Sequence, residues 1–202
     1  SKAHGVKTSH LLYLHGFRSS PRSTKAQRFE REIERLRAIG RAPVWLSPQL
    51  PPSPAQAMAL IEAATRDWPA QSMAVIGSSL GGFYATALAE RRGCAAVVLN
   101  PAVDPARDLA GFIGEQTAWH DPQEHFHFRP EFIDELRAID PGPLADPAHY
   151  MAVIAKGDEV LDWREMQARY AGSRMCLIDG SDHALSDFDT HLPAVLRFLG
   201  LA

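Results

Sequence analysis

The chemistry of this 202-residue chain is concentrated in a serine, an aspartate and a histidine that occur in that order along the sequence. Gly77-Ser78-Ser79-Leu80-Gly81 spells G-x-S-x-G, with the apolar run Met73-Ala74-Val75-Ile76 before it and a helical stretch, Leu80 to Arg91, after it. A strand-to-helix turn this sharp strains its central residue, and side chains at the flanking glycine positions would meet neighbouring backbone. Ser79 would thereby be held at the edge of a sheet, with its hydroxyl exposed at a helix start. The competing reading is a glycine-rich turn that cradles phosphate. It lacks the lysine of a P-loop, and no G-x-G-x-x-G is present.

A serine hydroxyl is a weak nucleophile and needs a base that a carboxylate orients. His183 lies in the loop Asp179-Gly180-Ser181-Asp182-His183-Ala184, between the last predicted strand and the last helix. Asp158 follows the preceding strand in Lys156-Gly157-Asp158-Glu159-Val160. Both fall at the carboxyl ends of strands, on the sheet edge that carries Ser79. Asp104 and Asp182 remain alternative acids. The expected oxyanion donors are the backbone N–H groups of Leu80, at a helix N-terminus, and of Phe17, in the loop His15-Gly16-Phe17-Arg18. His15 is read as bracing that loop. Arg18, Arg22 and Lys25 would lie near it and are candidate contacts for an anionic part of a substrate.

Strands and helices must alternate to bring these residues together. Short apolar runs at His10 to Leu14, Pro43 to Leu46, Met73 to Ile76, Ala95 to Leu99, Tyr150 to Ala155 and Met175 to Ile178 read as six strands. Between them, Ala26, Phe29, Ile33 and Leu36 recur at helical spacing, and so do Met58, Ile61, Thr65 and Trp68. Asp162 to Ala171 and Phe188 to Leu199 supply the last two helices. This pattern predicts right-handed crossovers and a mostly parallel sheet covered on both faces. Residues 104–147 break the rhythm with six prolines, several histidines and aromatics, and one helix at Glu131 to Ile139. They read as a lid-like insert over the carboxyl edge of one domain spanning 1–202.

Composition narrows the function classes. Hydrophobic residues make up 46% and charged residues 22%, which is ordinary globular composition. A net charge of −3 argues against nucleic acid as a partner. Cys94 and Cys176 are too far apart for a metal-ligand spacing. His120-Asp121 with His125-x-His127 carries ligand chemistry but no ordered zinc spacing, so neither a metal nor another cofactor is expected. The uncharged stretch Trp68 to Ala89 is long enough to cross a bilayer, yet Pro69, Gln71, Ser72, Gly77, Ser78, Ser79, Gly81 and Gly82 interrupt its apolarity. Ser1-Lys2-Ala3-His4-Gly5 leads into no apolar signal core, which makes a cytoplasmic location the expectation.

The assembled motifs resemble the α/β-hydrolase superfamily, and within it the small bacterial YqiA-like esterases. The resemblance rests on Leu-Tyr-Leu-His-Gly-Phe-Arg-Ser-Ser-Pro at 12–21, Ile-Gly-Ser-Ser-Leu-Gly-Gly-Phe-Tyr-Ala-Thr at 76–86, Leu-Asn-Pro-Ala-Val at 99–103, Gly-Asp-Glu-Val-Leu-Asp at 157–162 and Gly-Ser-Asp-His at 180–183. It implies a three-layer α/β-hydrolase fold and hydrolysis of carboxylic esters, or of acyl-CoA thioesters, by Ser79, Asp158 and His183. A ligand-binding hydrolase fold without catalysis is the remaining alternative, and such proteins commonly lack a member of the triad. The insert matches only weakly, and the oligomeric state is not implied.

Overall fold

The computed structural model describes residues 7–202. The reading of the segment Ser1 to Gly5 lies outside the described residues. In chain order the strands are β1 (His10–Leu14), β2 (Val44–Leu46), β3 (Met73–Ser78), β4 (Ala95–Leu99), β5 (Gly114–Thr117), β6 (His125–Phe128), β7 (Tyr150–Ala155) and β8 (Arg174–Ile178). The helices are α1 (Thr24–Ala38), α2 (Pro54–Thr65), α3 (Leu80–Arg92), α4 (Pro105–Asp108), α5 (Glu131–Ile139), α6 (Trp163–Arg169) and α7 (Phe188–Phe198).

Six strands form one sheet in the order β2-β1-β3-β4-β7-β8, and every neighbouring pair is parallel. Successive residues of a strand face opposite sides, so each side of the sheet acquires its own core. Leu12 and Leu14 face Met58 and Ile61 of α2 and Phe83 and Leu88 of α3. Leu11 and Tyr13 face Phe29 and Ile33 of α1 and Leu192 and Val195 of α7. The six predicted core strands are therefore all present, and the three-layer α/β-hydrolase architecture holds. No described helix is long and apolar enough to cross a membrane; the uncharged stretch is instead a turn, β3 and most of α3.

Several details differ from the sequence expectation, among them the short helix α4 at the start of the insert. The second helix stops at Thr65, so Trp68 sits beyond it, its ring 5.1 Å from that of His10. The insert holds an unpredicted antiparallel hairpin, β5–β6, pairing Gly114 with Phe128 and Thr117 with His125. Gly114-Glu115-Gln116-Thr117 has no apolar alternation to announce a strand. His125-Phe126-His127-Phe128 does alternate: the histidines are exposed, Phe126 is half-buried and Phe128 is buried.

From β1 the chain winds outward to β2, then passes back over β1 to β3, so its direction reverses between β1 and β3. At such a reversal the loops leaving two adjacent strands separate and open a crevice. The loop 15–18 leaves β1 there and Ser79 follows β3. Glycines set how closely these parts approach. A Cβ on Gly81 would stand 2.0 Å from the Leu14 carbonyl oxygen, and one on Gly77 would stand 2.0 Å from the Gly81 oxygen. Since both obstacles are backbone, Gly81→Ala should cost about 3 kcal/mol or more. For a chain of this size that lowers Tm by roughly 6–12 °C; thermal denaturation showing an unchanged Tm would contradict the tight approach.

Candidate active site

Ser79 occupies a backbone conformation that side chains rarely adopt, with φ 57° and ψ −119°. Backbone hydrogen bonds from both sides hold it there. Its N–H donates to the Leu99 carbonyl (3.0 Å), while its own carbonyl accepts from Gly82 (2.9 Å) and Ala102 (3.0 Å). The end of β4 thus fixes the turn that ends β3. The hydroxyl of Ser79 donates to His183 Nε2 at 3.0 Å. His183 Nδ1 lies 2.7 Å from Asp158 Oδ2. A carboxylate can only accept, so the proton belongs on Nδ1, leaving Nε2 with its lone pair toward Ser79.

The acid and the base meet because β7 and β8 continue to pair past their ends. Lys156 N–H donates to Ile178 O (2.8 Å) and Gly157 N–H to Gly180 O (3.0 Å). A Cβ on Gly157 would lie 2.2 Å from the Ser181 carbonyl, so glycine is what lets the two loops touch. The Asp158 side chain is fully buried, while His183 retains 17% exposure. Asp158 Oδ1 accepts from the N–H groups of Val160 and Leu161, both at 2.8 Å. A buried carboxylate held by three N–H donors is satisfied without a cation. The rival acids are engaged elsewhere: Asp104 caps α4 through Arg107 N–H (3.3 Å), and Asp182 accepts from Ser186 N–H (2.8 Å).

Sequence reasoning missed Asn100. It is completely buried and has φ +42°, so the chain turns away from the sheet at this residue. Its side chain takes over where the ladder stops. Oδ1 accepts from Ala155 N–H (2.8 Å), and Nδ2 donates to the carbonyls of Asp182 (3.0 Å) and His183 (3.1 Å). One carboxamide therefore joins the end of β7, which leads to Asp158, to the loop that carries His183. An asparagine directly after a strand, ahead of Pro101, was the signal available in the sequence.

The expected oxyanion donors, Phe17 and Leu80, both line a cleft of about 760 Å³ together with Ser79 and His183. Neither N–H donates to a partner among the described residues. Gly16 brings the loop against Ser79, since a Cβ there would stand 3.3 Å from the Ser79 Cβ. His15 braces the loop from behind: Nδ1–H donates to Gly16 O (2.8 Å) and Nε2 accepts from Leu50 N–H (2.9 Å). Burial pushes its pKa down, which keeps Nε2 able to accept.

Arg22 and Lys25 line the cleft together with apolar residues that include Leu80, Leu109 and Phe112. Lys25 Nζ donates to Ala184 O at 2.7 Å, and burial pushes its pKa down to about 8. Arg18, expected as a third contact, is absent from the cleft lining and is tied to the β5–β6 hairpin instead. Two of the three histidines of the insert pair with carboxylates, His120 with Glu124 (3.0 Å) and His127 with Glu115 (3.2 Å). Among the described residues no group of three or more His, Cys, Asp or Glu is placed to hold a metal.

The model of an uncharacterised protein family, UPF0227, matches residues 10–200. The chain belongs to UPF0227, the YqiA-like family. This UPF0227 chain also superposes on solved α/β hydrolases at low sequence identity. Mouse alpha/beta hydrolase domain-containing protein 10 gives a TM-score of 0.70 at 18% identity, over 94% of this chain and 88% of that one. A structure from the study of LipS and LipT, two metagenome-derived lipolytic enzymes, gives 0.68 at 16%, over 96% and 95%. Est1E from Butyrivibrio proteoclasticus, with ferulic acid bound, gives 0.65 at 15%, over 96% and 87%.

The Asn100 hub generates a prediction for this UPF0227 chain. Asn100→Ala leaves the buried Ala155 N–H without a partner, at about 1–3 kcal/mol, and takes a donor from the part-buried carbonyls of Asp182 and His183. Chemical denaturation should register about 2–4 kcal/mol in total. If Ser79 and His183 act together in catalysis, kcat/KM should fall roughly 10–100-fold as His183 loses its placement. A variant with wild-type stability and turnover would remove Asn100 from the site.

Proposed function

We propose that this chain is a serine esterase that hydrolyses carboxylic esters of small molecules through an acyl-enzyme. The observation that carries the reading is the continuous relay from Ser79 Oγ to His183 Nε2 (3.0 Å) and from His183 Nδ1 to Asp158 Oδ2 (2.7 Å), opening on a cleft. The lipolytic enzymes and Est1E among its structural neighbours support the same chemistry.

In this mechanism Ser79 Oγ attacks the ester carbonyl carbon as its proton passes to His183 Nε2. The carbonyl oxygen becomes an oxyanion and accepts from the N–H groups of Phe17 and Leu80. Asp158 stabilises the imidazolium through Nδ1–H. When the tetrahedral intermediate collapses, the bond to the leaving oxygen breaks and His183 protonates the departing alcohol. Water then gives a proton to His183, attacks the acyl carbon and releases the acid, and Ser79 recovers its proton. The apolar wall of Leu80, Leu109 and Phe112 suits an acyl group.

A fluorophosphonate probe should label Ser79, as read by peptide mapping, and Ser79→Ala should abolish both adduct and turnover. Asp158→Asn, which inverts the histidine tautomer, should lower kcat by about 10²–10⁴. Absence of any adduct on the folded wild-type protein would sink the esterase reading.

A second reading, hydrolysis of acyl-CoA thioesters by the same relay, is favoured by Arg22 and Lys25 in the cleft. The Arg22 guanidinium has no hydrogen-bond or ion-pair partner among the described residues, and Lys25 makes no carboxylate contact within ion-pair distance. If these cations hold phosphate, acyl-CoA should be preferred over the acyl-pantetheine of the same chain length. The preference should weaken as pH climbs through about 8, where Lys25 gives up its proton, and that pH response should vanish in Lys25→Met. Equal turnover of both thioesters at every pH would exclude the phosphate contacts.

A further inference from the structure

The hairpin of the insert makes its closest connections with the loop that leaves β1. Arg18 is the centre of them. Its Nε donates to the Thr117 carbonyl (2.8 Å) and its Nη2 to the Thr117 hydroxyl (3.2 Å), a two-pronged grip on the end of β5. In return Trp119 N–H donates to the Arg18 carbonyl (3.0 Å), and the Trp119 ring lies 5.1 Å beneath the guanidinium carbon. Arg18 itself has φ +63°, a conformation that an unrestrained arginine avoids.

The preceding residue is held just as firmly, through its ring. Phe17 meets Phe112, Phe126 and Phe128 edge-on, with centroids 5.5, 5.9 and 5.3 Å away. Edge-to-face ring pairs each add about 0.5–1.5 kcal/mol beyond the area they bury. The side chain of Phe17 thus anchors in the hairpin, while its N–H, without a partner among the described residues, belongs to the cleft that holds Ser79. A donor that must stand about 2.7–3.1 Å from a developing charge, placed to within about 0.5 Å, needs such an anchor.

We propose that the β5–β6 hairpin is the clamp of the oxyanion loop and that Arg18 is a positioning residue, which sets the Phe17 N–H through Thr117 and Trp119 and does not touch substrate. The proposal rests on the reading of Ser79 as nucleophile and of Phe17 and Leu80 as oxyanion donors. It changes the role of the insert from a cover over the cleft to part of the apparatus that stabilises the transition state.

The test compares Arg18→Ala and Arg18→Lys with wild type on a neutral short-chain ester, alongside affinity for two inhibitors of matched shape. A trifluoromethyl ketone forms a hemiketal on Ser79 and places an oxyanion in the hole; the corresponding plain amide binds without one. The clamp predicts a kcat loss of roughly 10–100-fold in Arg18→Ala with KM within about twofold, since uniform substrate binding is untouched. Trifluoromethyl ketone affinity should fall in parallel with kcat/KM, and amide affinity should stay unchanged. Arg18→Lys keeps the charge but not the fork, so it should recover only a small part of the loss.

Full activity in Arg18→Lys would replace the clamp with a role for charge alone. A raised KM with weakened amide binding would restore Arg18 as a substrate contact, and unchanged kinetics in Arg18→Ala would overturn the proposal outright. Thr117→Val, at a residue outside the cleft lining, removes one prong of the grip and gives a milder version of the same pattern should Arg18→Ala fold poorly; wild-type kinetics there would count against the clamp. Fluorophosphonate labelling of wild-type Ser79 separates the two readings. Without it the nucleophile itself is misassigned, whereas labelling with no kinetic effect of Arg18 defeats only the clamp.

Discussion

The Leu14 carbonyl lies where a side chain on Gly81 would stand, and the rest of the site depends on that closeness. A parallel sheet places strands at a fixed lateral spacing, but it does not decide how near a helix may come to the strand beside its own. Here α3 begins almost in contact with the end of β1, because Gly77 and Gly81 carry nothing to hold it away. The oxyanion loop therefore starts within reach of Ser79. With bulkier residues at those positions, the same sheet would carry the same side chains on separated loops.

A second constraint works along the opposite side of the nucleophile. β4 ends at Leu99, and the chain must turn sharply for Pro101 to pass Gly82. That turn would orphan the Ala155 N–H in the interior, where an unpaired donor is costly. The Asn100 carboxamide fills the place of the missing strand and grips the histidine loop with its other end. Satisfaction of the buried backbone and placement of the His183 loop are met here by one side chain. Asp158 follows similar logic: it is fully buried, and three N–H groups rather than a cation compensate its charge.

Much of this was legible in the sequence, for physical reasons that can be named. Strands covered on both faces must be continuously apolar, so His10 to Leu14, Ala95 to Leu99 and Tyr150 to Ala155 announce themselves as they stand. Ser79, Asp158 and His183 were legible because each follows such a strand, and the fold directs all those ends to one edge. Asn100 was not, since a polar residue past a strand reads as a loop until its partners from distant segments are known. The hairpin was hidden because Gly114 to Thr117 is polar, and pairing there is decided by a neighbour across the gap rather than by local pattern. Arg18 was placed near the right loop, but its direction follows from Thr117, a residue 99 positions away.

The aromatic seat of Phe17 has an evolutionary consequence. In many enzymes a variable surface segment can be exchanged to admit new substrates while the catalytic apparatus stays as it was. Here Phe112 belongs at once to the wall of the cleft and to the seat of the loop beside the nucleophile. A change that widened the cleft at that point would also loosen the seat. On the proposed esterase reading, selectivity and turnover are thus mechanically coupled, and altered preference would have to evolve together with a compensating repair in the ring cluster.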